Sequence, residues 1–389
     1  MIDQKISGIK DEIIGFRRDF HRHPELGFQE KRTARIIADY LHSLGMEVSE
    51  GIGTTGVVGL LNGNRPGKTL MLRSDMDALP IQELNDIEYR SVNDGVMHAC
   101  GHDGHMAILL GTATVLSGMQ EELCGRVKFV FQPAEESLGG AKSMIEDGVL
   151  DNPKVDAAFG LHLISQLPLG YIGWKSGALM ASMDAFTITI KGKGGHAAMP
   201  EGGVDAILIS ASVITALQSL VTKEISPMNP VVINVGTIKG GDAPNVIAET
   251  VVLEGTVRTL DATVQQTIPE RMKRIISGIS SGMGGSYELD YQKGYPVTIN
   301  DAAMTKIVHD IAVQVAGDDL VLEVPSAMIS EDMSFFLQKV PGSYFYVGAG
   351  NPEKGQCEPH HNARFDFDEQ ALETGTKMLC HLAISYLKQ

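Results

Sequence analysis

Ile2, Ile6, Ile9, Ile13, Phe16 and Phe20 recur at alternating spacings of four and three, which predicts an amphipathic helix opening the chain. Acids and bases stud its other face, so this stretch does not read as a signal peptide. A second helix follows on Ile36, Ile37, Tyr40, Leu41 and Leu44. Short apolar runs then appear at 57–61, 69–72, 127–131 and 157–161, each too brief for a helix, with helical patterning between several of them, notably at 106–116. Strands alternating with helices predict an α/β layer on a mostly parallel sheet, covered as three layers αβα.

The middle of the chain has another rhythm. Residues 185–190 alternate as a strand, 204–221 are helical, and 231–238 and 250–257 are strands. A helix over 262–279 tolerates Pro269 in its first half, and 287–291 alternates again. The order βαββαβ is a ferredoxin-like unit able to form a small domain by itself. After Lys293-Gly294 the α/β pattern resumes and closes with a helix from about Glu369. If chemistry on the two flanks shares one site, the middle is an insertion. The division is then 1–182 and 294–389 for the catalytic domain and 183–293 for the inserted lid.

Composition narrows the function. At 389 residues two domains are expected. A net charge of −16 without a basic run makes nucleic acid an unlikely partner. No apolar run approaches the roughly 20 residues that span a bilayer. Cys100, Cys124, Cys357 and Cys380 show no CxxC spacing, which argues against a disulfide framework and for a reducing, cytoplasmic setting.

The richest stretch is Met97-His98-Ala99-Cys100-Gly101-His102-Asp103-Gly104-His105. Thiolate, imidazole and carboxylate are the donors that hold borderline divalent metals. Cys100 and His102 flank one glycine and can turn toward one centre. His105 reads better as a hydrogen-bonding support, and His98 is open between the two roles. Other candidates end the predicted strands: Asp75 and Asp77, Glu135 and Glu136, and His162, with His360-His361 farther on. Open α/β sheets build sites beyond the carboxyl ends of their strands. Adjacent Glu135 and Glu136 point apart, so one can ligate a metal while its neighbour takes a proton from water. Asp75 and Asp77 suit the orienting of ligand imidazoles, though direct ligation stays open. His196, after Gly194-Gly195, suits either a substrate contact or a surface turn. The glycines at 53–59 precede a strand instead of following one, so they read as a turn and not a phosphate loop.

These segments resemble the dinuclear-metal aminoacylase and carboxypeptidase family of amidohydrolases, and most closely its branch of hippurate and auxin-conjugate hydrolases. The matching stretches include His23-Pro24-Glu25-Leu26-Gly27, Arg73-Ser74-Asp75-Met76-Asp77-Ala78-Leu79-Pro80, the Cys100 segment, Gln132-Pro133-Ala134-Glu135-Glu136, Gly194-Gly195-His196 and Ser330-Glu331-Asp332. The resemblance implies two divalent ions per subunit, zinc or manganese before cobalt or nickel, on Cys100, His102, Glu136, His162 and His361. His361 is preferred over His360 for its spacing to Phe365. It further implies Glu135 as general base, Asp77 as orienter, His196 and Asn245 as substrate contacts from the lid, and a homodimer formed through that lid. Asp75 stands where other branches carry a histidine ligand, Ala248 where proline is frequent, and Ser137 where glycine is.

The expected reaction is hydrolysis of an N-acyl amino acid, hippurate-like or N-acetylated, by a metal-activated water, with Arg258 a candidate for the substrate carboxylate. The rivals are a dipeptidase or carboxypeptidase with the same site, and a catalytically inactive dimeric binding protein of the same fold.

Overall fold

Burial along the central strands follows a period of two. In the strand Arg65–Asp75, Leu70 and Leu72 enter the main apolar core, while Met71 and Arg73 are buried outside that cluster. Val127, Phe129 and Phe131 in Cys124–Gln132 repeat the pattern, as do Ala157, Phe159, Leu161 and Leu163 in Ala157–Pro168. A sheet buried on both faces needs helices on both faces. The computed structural model, which describes residues 2–136 and 139–388, supplies them.

By contacts the chain divides into two units. The larger comprises Met1–Gly177, Ile299–Pro325 and Asp332–Gln389. Among the described residues its sheet runs in the order Glu47–Ile52, Gly56–Asn62, Cys124–Gln132, Arg65–Asp75, Ala157–Pro168, Gly342–Gly350, Ile172–Trp174, Val321–Glu323. The four strands from Cys124–Gln132 to Gly342–Gly350 are parallel to one another, and their outer neighbours Gly56–Asn62 and Ile172–Trp174 are antiparallel to them. Helices His102–Ser117 and Gln370–Leu387 cover the face carrying the main core, and Gly140–Glu146 and Met333–Leu337 pack on the other. The opening helix is broken. Ile2–Gly8 and Lys10–Arg22 part at Ile9, just after Gly8, a residue that weakens a helix by its backbone freedom. Their apolar stripe stays continuous through the break, with Ile6, Ile13 and Phe20 buried.

The smaller unit comprises Ala178–Thr298 and Ser326–Glu331. Its four-stranded sheet runs Val231–Gly240, Thr250–Thr259, Met183–Lys191, Ser286–Tyr295, every neighbour antiparallel. Helices Ala206–Ser219 and Ala262–Gly282 complete the βαββαβ order, each capped by an aspartate, Asp205 and Asp261, that accepts two backbone N–H groups. Phe186, Ile188 and Ile190 meet Ile209, Val213, Leu217, Ile268, Met272 and Ile276 in a separate core. By length and composition the stretch Ala206–Glu224 could cross a membrane, longer than any apolar run read from the sequence. Its Ile209, Val213, Leu217 and Leu220 are instead core residues of this unit.

Candidate metal centre

Three strands and two loops deliver the chemistry of the larger unit. Strand Arg65–Asp75 ends on Asp75, with Asp77 two residues on. Strand Cys124–Gln132 leads through Ala134, at φ 51°, into Glu135 and Glu136. His162 lies on Ala157–Pro168, in register with Tyr346 of the neighbouring parallel strand. Cys100 precedes Gly101, whose φ of 88° suits glycine and starts the helix bearing His102 and His105. His361, itself at φ 64°, donates its N–H to the Ala99 carbonyl at 2.8 Å. That one backbone bond fastens a C-terminal loop beside Cys100.

The donors converge in overlapping groups, each with its ligand atoms within 4.8 Å of one another. One is Cys100, His102 and His162; another is Cys100, Glu136 and His361. A third joins His102 to Glu135 and Glu136, and a fourth joins Asp75, His102 and His105. Cys100 Sγ stands 3.5 Å from His162 Nε2, and His361 Nε2 lies 3.2 Å from Glu136 Oε1. His360 is outside these groups: its Nε2 is 2.9 Å from the Leu163 carbonyl.

Hydrogen bonds fix which ring nitrogen faces the centre. His102 Nδ1–H donates to the Asp77 carbonyl at 2.8 Å, leaving Nε2 buried without a hydrogen-bond partner among the described residues. His162 Nδ1–H donates to the Leu163 carbonyl at 2.8 Å and turns Nε2 toward Cys100. An imidazole so oriented, with an unclaimed lone pair beside a thiol and carboxylates, is a metal ligand's environment. The Asp77 carboxylate accepts the N–H groups of both Glu135 (3.0 Å) and Glu136 (2.9 Å), so it shapes the turn that carries them.

His105 serves as a support. Its Nε2 accepts the Leu163 N–H at 2.9 Å, so its Nδ1 carries the proton given to Asp75 at 2.7 Å. His98 is buried, with neither ring nitrogen partnered among the described residues, and burial pushes it down to about 3. It joins none of the donor groups. His21 is enclosed between Asp103 (2.9 Å) and Glu83 (3.1 Å).

The charges are mutually dependent. Burial opposes protonation of His102, yet Asp75, Asp77 and Glu136 lift it to about 10. Burial, then Glu136 and Glu135, push the Cys100 thiol well above its ordinary value. Burial and the neighbouring His105 and His360 hold His162 neutral. Burial works against ionisation of Glu136, but His361 and His102 keep it below the usual carboxylate range.

In the smaller unit His196 and Asn245 come together at a short ladder. Val246 pairs with His196, and Ala197 N–H donates to the Asn245 carbonyl at 3.0 Å. The exposed His196 ring accepts the Ala198 N–H through Nδ1 at 3.0 Å. Arg258 is half-buried, with Nη1 3.4 Å from both the Met328 carbonyl and Ser330 Oγ. Ala248 is buried, and Ser137 lies outside the described residues.

Arg73, Gln132 and Asp332 stand in the matching stretches, but motif reading gave them no role. Arg73 is fully enclosed and donates to Gln132, Asp75 and Asp332, each at 2.8 Å. The available signal was an arginine inside an apolar strand, two residues before Asp75 and so on its face.

Residues 71–385 match Peptidase family M20/M25/M40. Thermostable carboxypeptidase 2 of Saccharolobus solfataricus is 41% identical over 385 residues, 98% of this chain and 97% of that protein. The N-acyl-L-amino acid amidohydrolase of Geobacillus stearothermophilus is 46% identical over 301 residues, 77% of this chain and 80% of that one. Among solved structures, the Bacillus subtilis YXEP protein, described as a dinuclear metal binding peptidase from the M20 family, superposes with a TM-score of 0.87 at 34% identity. It covers 98% of this chain, which in turn covers 99% of that one. The chain belongs to the M20/M25/M40 peptidase family.

Proposed function

We propose that this chain hydrolyses N-acyl amino acids to a carboxylate and a free amino acid, at a centre for two divalent ions. That it is a metal-dependent amidohydrolase follows from its family. The finer reading rests on one observation: Cys100, Glu136 and His361, remote in sequence, present sulfur, oxygen and nitrogen within 4.8 Å of one another. Cys100, His102, Glu136, His162 and His361 are the ligands in this reading, and the unclaimed, buried Nε2 of His102 fits that role. The mixed thiolate, imidazole and carboxylate set suits zinc or manganese, with cobalt and nickel as substitutes. Bound there, the ions supply Lewis acidity toward the amide carbonyl and acidify water.

Glu135 does the proton work. Its Oε1 accepts the Asp332 N–H at 3.4 Å, which steadies the carboxylate. It takes a proton as the water oxygen bonds to the carbonyl carbon, and returns it to the nitrogen as the C–N bond breaks. Asp77 holds the Glu135–Glu136 turn through two N–H bonds, and Asp75 fixes His105. His196 and Asn245, adjacent on their ladder, and the half-buried Arg258 are the proposed substrate contacts, Arg258 toward the α-carboxylate. A homodimer through the smaller unit and a cytoplasmic site of action complete the proposal.

Carboxypeptidase relatives favour one second reading, cleavage of peptides at the same centre. Turnover of benzoylglycine, N-acetyl amino acids and dipeptides, compared on one preparation, separates them: dipeptides cleaved as fast as acyl amino acids would reverse the preference. Glu135→Gln should lose orders of magnitude in rate while its metal content persists. Undiminished turnover in that variant sinks the base assignment.

A further inference from the structure

We propose that Arg73 is a positioning residue that holds the base and the metal ligands in one frame; this deepens the function proposed above and rests on it. Arg73 lies two residues before the end of its strand with no exposed side chain, and its hydrogen bonds reach three separate side chains. Nη1 reaches Asp75, Nη2 reaches Asp332, and Nε reaches Gln132, the residue in parallel register with Asp75.

Each carboxylate leads to a different part of the centre. On one side Asp75 accepts from His105 Nδ1, His105 accepts the Leu163 N–H, and the Leu163 carbonyl accepts from His162 Nδ1. That chain ends on the nitrogen that turns the opposite edge of His162 toward Cys100. On the other side the Asp332 carboxylate is gripped by Arg73, by Gln132 Nε2 at 2.8 Å, and by the Ala141 N–H at 3.0 Å. The Asp332 N–H then meets Glu135 Oε1. One guanidinium thus joins Asp75 and Asp332, from which hydrogen bonds run on through His105 and Leu163 to His162 and directly to Glu135.

A planar fork is needed for this. Guanidinium presents rigid donors along fixed vectors, whereas an ammonium at the end of a flexible stem satisfies one carboxylate at the expense of the other.

The test uses Arg73→Lys, with Asp332→Asn as a second variant that retains the guanidinium. Cobalt(II) is loaded into each, and the thiolate-to-cobalt absorption of Cys100 and its loss to a chelator are followed without substrate. We expect Arg73→Lys to release cobalt about tenfold faster with an altered band. Its kcat should fall about 100-fold, with KM within about twofold. Asp332→Asn should lose kcat alike but keep the wild-type cobalt band, because it cuts only the branch to Glu135. Wild-type kcat and cobalt behaviour in Arg73→Lys overturn the proposal, as does a variant that simply unfolds, since that makes the role structural. If the wild-type protein hydrolyses no acyl amino acid, the proposed function fails, while the cobalt readout still judges the branch to His162.

Discussion

Asp77→Asn isolates what one carboxylate does for the Glu135–Glu136 turn. Asp77 is almost fully buried and accepts two backbone N–H groups through its two oxygens, at 3.0 and 2.9 Å. Asparagine offers one carbonyl oxygen and one NH2, so one of the two amides must face a donor. A hydrogen bond to a charged acceptor contributes about 1.5–3 kcal/mol, and a buried donor left unmet costs about 1–3 kcal/mol. Because these costs overlap, the expected destabilisation is about 2–4 kcal/mol, read as a lower denaturant midpoint in metal-stripped protein. The His102 ring hydrogen-bonds the Asp77 backbone carbonyl at 2.8 Å, with the carboxylate farther off at 3.3 Å. That bond survives the substitution, so His102 should keep its orientation and metal content should hold. Displacement of Glu135 by about 1 Å should still cost about 100-fold in kcat/KM. If Asp77→Asn keeps kcat/KM within about threefold and its unfolding free energy within about 0.5 kcal/mol, the turn does not depend on this carboxylate and the reasoning fails.

Three further outcomes are expected. In Gly140→Ala the new Cβ would stand 1.8 Å from the Pro133 carbonyl oxygen, a backbone atom just ahead of Glu135. The turn must shift, and both stability (by about 1–3 kcal/mol) and turnover should drop; full activity in a folded variant would refute this. Arg17→Met strips a buried guanidinium from Asp103 (2.9 Å), Asp366 (2.6 Å) and Glu369 (3.3 Å), and should cost about 3–5 kcal/mol in urea unfolding. Stability should also follow pH with a definite sign. Burial opposes ionisation of Asp366 and Glu83, yet Arg17 holds the first and His21 the second below the usual carboxylate range. Their stabilisation is complete above the ordinary carboxylate pKa and disappears as pH falls through the depressed values. Burial works against protonating His21, but Asp103 and Glu83 raise it, so its share is present in acid and disappears as pH climbs through the raised value. Thermal midpoints across pH check both limbs, and a midpoint flat in acid contradicts the first.

Two strand ends were legible because apolar runs mark where a parallel strand stops, and Asp75 and Glu135 sit at or just beyond such an end; the run read over 157–161 continues as strand to Pro168, so His162 lies within it. The ferredoxin-like order was legible because its alternation and helical stripes change period cleanly between 183 and 295. Other features left no local trace. Nothing in His360-His361 says that one ring turns to the Leu163 carbonyl while the other, at positive φ, turns to Glu136. The choice is made by a backbone bond from His361 to Ala99, between segments over 250 residues apart. His105 was legible as a support but its partners were not: they are Asp75 and a backbone amide at 163, and neither follows from helix spacing. Arg17 was the recoverable miss. It lies four residues after Ile13 and three before Phe20, on the buried stripe, where an arginine must find carboxylates to survive.

The same carboxylates that raise His102 and Cys100 decide what a cation must displace. Asp75, Asp77, Glu135 and Glu136 surround those two side chains, and in the absence of a dication they favour a proton on each. The ligation proposed above requires the Cys100 thiolate and the neutral His102 imidazole, so in that reading loading the centre expels protons. A divalent ion reverses the local sign: the negative field that disfavours thiolate becomes the field that binds the cation. Metal affinity therefore rises with pH through the range where His102 and Cys100 retain protons. Arg73, tied to Asp75 and Asp332, keeps part of that negative charge compensated at all times.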